Sequence, residues 1–239
     1  MKLFISAIVI LLSCFQNTNA AAPAEANSVC ADVNAINVKK FAAQAVAAMD
    51  KVTSYQSVLS IMDFAKGSLK DKGFVSIEWV FEYEKPNKFA VDQTSWEENV
   101  ADRWISIGRK QYIQIGSWFE DKTSDRSQVN KFLTFNKYRP VLQKCKMVVA
   151  GVEKIGAVDC IVLKGRLDNS TKNIFPRPKG KNESEVLVGI DKDTMLVAKI
   201  VMRCRGTDEK GKKINFEYRQ SFGNYNKQFN IVKPAEVED

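Results

Sequence analysis

The chain has 239 residues, enough for one sizeable core, and its 45% hydrophobic and 27% charged residues exclude a disordered chain. Lys and Arg number 36 against 28 Asp and Glu, a formal net charge of +8 that favours anionic surfaces without choosing among them. There is no histidine, which excludes Ser-His-Asp and Cys-His triads, a His-ligated zinc and any histidine acid–base step.

The N-terminus reads as a signal peptide over residues 1–20. Lys2 supplies a short charged start, and Leu3 to Phe15 is apolar but too short to span a bilayer as a mature helix. The segment ends in Thr18-Asn19-Ala20, small at the positions a signal peptidase reads. Cleavage after Ala20 would leave residues 21–239 as a single domain, exported to the periplasm. Leu11-Leu12-Ser13-Cys14 offers an alternative: a lipobox-like run that would make the chain an outer-membrane lipoprotein anchored at Cys14. Cys30, Cys145, Cys160 and Cys204 remain in the mature chain and permit up to two disulfides in an oxidising compartment. No CxxC occurs. Cys160 and Cys204 both sit in strand-like runs and form the preferred pair.

From Asp32 the pattern turns helical. Val38, Phe41, Ala45, Met49 and Val52 recur every three or four residues, so they share one face of a helix running to about Lys51, with Asp32 or Asn34 as its cap. The period then becomes two. Ser54–Phe64 predicts a first strand. Over Phe74–Tyr83, Val75, Ile77, Trp79, Phe81 and Tyr83 share one face, the pattern of a sheet with one buried side. Lys85-Pro86-Asn87-Lys88 turns the chain, because proline has no ladder donor, and Phe89–Gln93 returns. Ile105–Ile107 and Gln111–Ile115 flank a turn at Gly108-Arg109-Lys110.

Residues 124–138 are less regular and leave room for a short helix. Strands are predicted at about 146–152, 158–167, 184–190, 195–204 and 213–225. Between them, residues 168–183 form a basic, Pro/Gly/Asn-rich loop. One long helix followed by a run of antiparallel strands is an α+β class. Its economical packing is a sheet curled around the helix.

Several of these motifs, in this order, resemble the LolA/LolB-like superfamily, which includes LppX-like lipid-binding lipoproteins and periplasmic lipoprotein carriers. They are Ser54-Tyr55 after a helix, Trp79 before Lys85-Pro86-Asn87-Lys88-Phe89, and Ser106-Ile107-Gly108-Arg109-Lys110 before Tyr112. Gly189-Ile190-Asp191-Lys192-Asp193 and a closing strand at Phe229-Asn230-Ile231-Val232-Lys233-Pro234 complete the likeness, which covers most of the mature chain. The resemblance implies a half-open antiparallel barrel wrapped around a long N-terminal helix and short helices. Its concave face would receive acyl chains, with Lys85 and Pro86 at the cavity mouth. In the family's carrier an arginine precedes this proline and helps control the lid. Lys85 lacks that planar fork of donors, a departure that fits a generic lipid-binding member better than the strict carrier.

The expected ligand wall comprises Trp79, Phe81, Phe89, Ile113, Ile115, Ile200, Met202, Phe216 and Tyr218. Each of these residues suits an apolar pocket and an ordinary core equally. Trp96, Trp104 and Trp118 fall near strand ends, as rim or edge packing. The loop cations, Lys172 to Lys181 with Arg177 and Lys179, either meet anionic headgroups, at about 1 kcal/mol per charge, or are solvated. Asn169 and Asn182 begin glycosylation sequons, relevant only to a eukaryotic host. The acidic pairs Glu97-Glu98, Asp191/Asp193 and Asp208-Glu209 read as solvated turns. No phosphate loop, nucleophile elbow or zinc cluster appears. The expectation is therefore a monomeric binding protein that shelters a lipid, a lipidated protein or another amphiphile. It has no enzyme activity, cofactor, metal or nucleic-acid partner. The alternative is a non-lipid envelope sensor or interaction module with a filled core.

Overall fold

A computed structural model describes residues 36–64, 74–95, 100–122, 127–167, 182–235 and 237–238. The signal peptide, Cys14, Cys30, Trp96, Glu97, Glu98, Asn169 and the basic loop from Lys172 to Lys181 lie outside the described residues.

Helix α1 spans Val38–Lys51. It starts later than its periodicity predicts because Asn37 caps it, the side-chain oxygen accepting from the Lys40 N–H at 3.1 Å. Phe41, Ala42, Ala45, Val46 and Met49 form its buried stripe. The alanines in that stripe let the backbone lie close to the sheet. Each of its large apolar side chains adds roughly 1.5–3 kcal/mol on full burial.

The strands are β1 (Ser54–Asp63), β2 (Phe74–Glu84), β3 (Lys88–Ser95), β4 (Val100–Ile107), β5 (Lys110–Ile115), β6 (Ser117–Glu120), β7 (Met147–Ile155), β8 (Val158–Arg166), β9 (Asn182–Asp191), β10 (Val197–Thr207), β11 (Lys213–Gly223) and β12 (Val237–Glu238). They form one unclosed curved sheet in the order β12-β6-β5-β4-β3-β2-β1-β11-β10-β9-β8-β7. Neighbours run antiparallel, except that β12 lies parallel to β6. Strand β1 therefore sits mid-sheet, flanked by β2 and by the last long strand, β11. Between β6 and β7 come α2 (Ser127–Leu133), a 3-10 turn (Phe135–Tyr138) and α3 (Arg139–Lys144).

Register puts Tyr55, Ser57, Leu59 and Ile61 opposite Tyr83, Phe81, Trp79 and Ile77 on β2. On β11, Ser57, Leu59 and Ile61 face Phe222, Gln220 and Tyr218. Period-two alternation makes this one continuous face. It packs with Phe41, Ala45 and Met49 of α1 and with Leu133, Phe135, Tyr138 and Val141 of the short helices into one core. The opposite face is charged. Arg203 lies across from Glu185 on β9 and Glu217 on β11 and bonds both, at 3.3 and 2.7 Å. The Glu217 carboxylate, 4% exposed, also pairs with Arg219.

Two expectations need correction. The first is the closing strand over Phe229–Pro234, where the chain is irregular, with Ile231 buried and Val232 exposed. Both sides of β1 are already paired, and the tail instead adds β12 at the sheet's edge. The second is the Cys160–Cys204 disulfide, which does not form. Cys160 is a free thiol opposite Asp191 on β9, whereas Cys204 lies opposite Ser184. Seven residues of β9 separate those two points, roughly 23 Å at 3.3 Å per residue. A disulfide needs the Cα atoms within about 7 Å. The two thiols also point to opposite faces, since Cys204 belongs to the core and Cys160 lies three residues before core Leu163.

Candidate ligand-binding site

The nine residues expected to form the wall share the helix-covered face of the sheet, but their environments differ. Phe81, Ile200 and Met202 are fully buried in mid-sheet, and Trp79, Ile113 and Tyr218 are buried nearly as well. Phe89 and Phe216 are half-buried. Ile115 is 70% exposed: it shares a face with Ile113 but ends β5, next to the turn at Gly116. The helices fill the centre of the concavity. Ile61, Ile77, Phe132 and Phe216 pack against the core yet keep part of their surface in solvent.

The short helical segment is pinned over this face by buried polar bonds. Tyr55 accepts the Phe135 N–H at 3.0 Å. Burial pushes the Tyr55 phenol well above its ordinary range, so it stays neutral. Gln220, with no exposed surface, donates to the Leu133 carbonyl at 2.7 Å and to Ser57 at 3.0 Å. Its Oε1 accepts from the Tyr138 hydroxyl at 2.5 Å. Trp104, expected as rim or edge packing, is fully buried and donates to Asn130 Oδ1 at 3.1 Å, and Asn130 in turn donates to Ser106 at 2.9 Å. Trp118 is half-buried, with the Arg103 guanidinium 5.7 Å from its ring centroid.

Phe132 carries the aromatic floor outward. Its ring meets Trp79 edge-on at 6.4 Å and Tyr218 at 6.5 Å, and Tyr218 meets Phe216 at 5.6 Å. Desolvation pushes the Tyr218 phenol up to about 12. The Lys137 ammonium lies 3.7 Å from the Phe132 ring centroid and 4.6 Å from that of Tyr138. Its Nζ is buried and has no hydrogen-bond partner. Burial alone holds its pKa well below the usual lysine value. Cation–π attraction of about 2 kcal/mol for a desolvated pair is smaller than the several kcal/mol lost on burying an ion.

The Lys85–Pro86 peptide is cis. Lys85 Nζ donates to the Asp50 carbonyl at 2.7 Å, placing a cation on the last turn of α1. The Asp50 carboxylate pairs with Arg139 of α3. Beside this hairpin a cavity of about 230 Å³ opens between the β2–β3 and β4–β5 turns and the short helices. Tyr83 and Phe89 line one side, their rings 5.1 Å apart, and Asn87, Gln111, Asn130 and Asn136 contribute amides. The cavity mixes amides with aromatic rings and is not a greasy slot.

The described acidic pairs are occupied by their own turns. Asp191 accepts from the Asp193 N–H and the Thr194 hydroxyl, and Asp208 from the Lys210 and Lys212 N–H groups. Among the described residues no cluster of three metal-ligating side chains occurs, and no helix is long and apolar enough to cross a membrane. Gln220 and Lys137 escaped the sequence reading. Gln220 did leave a trace, a polar residue at the inward parity of Phe216, Tyr218 and Phe222. Lys137, in Phe135-Asn136-Lys137-Tyr138, left none.

An unclosed antiparallel sheet over a long helix and a pinned helical segment, with an apolar inner face, is an LppX-like fold. Two solved structures carry the comparison. Lipoprotein LppX of Mycobacterium tuberculosis matches with a TM-score of 0.59 at 13% identity, over 82% of this chain and 98% of that one. LprF of Mycobacterium bovis matches with a TM-score of 0.59 at 12% identity, over 83% and 97%. At such identities the likeness is one of fold. No family model and no curated protein sequence matches this chain.

Proposed function

We propose that this is an exported binding protein that shelters a lipid, lipoprotein acyl chains or another amphiphile in its apolar concavity, for carriage or sensing in the cell envelope. One observation carries the reading: the inner aromatic floor is only half-closed at Ile61, Ile77, Phe132 and Phe216. The LppX-like fold supports it. Binding needs no covalent step. Each buried methylene contributes about 0.8 kcal/mol, so a chain of some ten methylenes offsets the loss of translational freedom on association. The destination is the periplasm, or the outer membrane if Cys14 is lipidated.

The test is native mass spectrometry of the mature chain purified from its own envelope, followed by organic extraction. A co-purifying lipid-sized mass, lost in Trp79→Asp or Phe216→Asp, is the expected result. A bare chain that takes up no fluorescent fatty acid would sink the reading. A second reading, an interaction module with a filled core, draws on the complete burial of Phe81, Ile200 and Met202 and on the exposed Val148 and Val152 of edge strand β7. A bare chain that cross-links through β7 would favour it.

A further inference from the structure

We propose that Lys137 is the anchor for the carboxylate of a single-chain acidic amphiphile whose alkyl chain lies along the Phe132–Trp79–Tyr218–Phe216 floor. The inference rests on the lipid-sheltering reading and names its ligand class.

A lysine in a short surface helix ordinarily extends its head to water. Lys137 instead lays its Nζ against the faces of Phe132 and Tyr138, away from solvent. An ammonium has three donors and no acceptor, and ring faces leave those donors without an oxygen. None of the ion pairs among the described residues includes Lys137. The hydroxyl of Tyr138, whose ring Lys137 faces, is already committed to Gln220. The arrangement is thus a lysine head with no oxygen partner, which an arriving carboxylate would hold as the ammonium, next to an aromatic floor that keeps partial contact with solvent at Phe132 and Phe216.

The missing partner is an anion that brings its own apolar tail. A single ammonium suits a monoanionic head. A phosphate monoester attracts several charged donors or a bidentate arginine. The alkyl chain would leave the head over Phe132 and cross Trp79 and Tyr218, which meet that ring edge-on.

The experiment measures binding of oleate, methyl oleate and oleoyl lysophosphatidate to the delipidated full mature chain, below their micellar concentrations. It uses the unmodified chain and Lys137→Met. The unmodified chain is expected to hold oleate at least tenfold more tightly than methyl oleate. Lys137→Met should abolish that preference and leave methyl oleate within twofold. Equal affinity for oleate and methyl oleate in the unmodified chain, or a preference that survives in Lys137→Met, overturns the anchor and leaves lipid sheltering intact. Binding of none of the three overturns both. A lysophosphatidate bound more tightly than oleate, through Lys137, overturns the carboxylate assignment. Lysine-selective 15N NMR of the unmodified chain provides a readout independent of the variant's folding. One buried ammonium signal should shift with oleate and stay put with methyl oleate; no oleate-dependent shift overturns the proposal.

Discussion

The Tyr138 hydroxyl donates to Gln220 Oε1 at 2.5 Å, joining the helical segment to β11 across 82 positions of sequence. Both residues are buried, so neither group can turn to water. Tyr138→Phe leaves Oε1 without its donor, at a cost of roughly 1–3 kcal/mol. Gln220→Leu costs more, because the Leu133 carbonyl and the Tyr138 hydroxyl both lose a partner. Urea unfolding of the two single variants and the double variant checks this. The double variant should be less destabilised than the sum of the singles, because they share one network.

Lys137 makes stability depend on pH. Its folded pKa is depressed, by burial alone, while the unfolded chain keeps the ordinary lysine value. Between those two values the unfolded state binds more protons, so stability rises with pH through that window and is lowest below it. The rings of Phe132 and Tyr138 face the ammonium. Lys137→Met should raise the melting temperature of the ligand-free chain at pH 7 by roughly 2–4 °C, the shift expected for ~1 kcal/mol in a domain of this size. It should also flatten the rise towards alkaline pH. Thermal unfolding followed by circular dichroism from pH 6 to 10 tests both effects.

Cys160 should behave as an inert thiol. Its pKa is pushed up to about 11 by burial and by the carboxylates of Asp191, Glu153 and Asp159. The thiolate is the reactive form, so labelling at pH 7.5 should be much slower than for an unfolded control. Peptide mapping without reductant should recover no Cys160–Cys204 linked peptide, and finding one would contradict the register of β8, β9 and β10.

Lys85 ties the β2–β3 turn to the end of α1. Its ammonium bonds a backbone carbonyl at the end of α1. Lys85→Ala should cost about 0.5–1.5 kcal/mol and leave the fold intact. Hydrogen exchange should speed up at the last turn of α1 and not in β1. Exchange unchanged at both places would mean that this tie bears no weight in solution.

Much of this molecule is local information. Alternation of Val75, Ile77, Trp79, Phe81 and Tyr83 marks a half-buried strand because side chains of a strand alternate between faces whatever its partners. The three- and four-residue spacing of Phe41, Ala45 and Met49 marks α1 for the same kind of reason. The turn at Gly108, where φ is +63°, is legible because glycine takes that conformation without strain. Alternation groups the expected wall residues within each strand, and the register between strands joins the nine on one face.

What parity does not carry is position along and across the sheet. Ile113 and Ile115 share a face, yet only Ile113 lies under the helices. Trp104 reads as rim or edge packing and is deep core, its N–H satisfied by Asn130 of α2. Cys160 and Cys204 both sit in strands, and their separation follows from β9 lying between them and from where each meets it. The Lys137 environment arises from rings of its own segment folded over β2 and β11. By itself the sequence determined the element types and the inward face, which depend on neighbours a few residues apart. Only the tertiary structure decided which inward groups are sealed, which stay half-open and which lysine head is left without an oxygen partner. Those outcomes depend on contacts between elements distant in sequence, from 26 positions for Trp104 and Asn130 to 87 for Leu133 and Gln220.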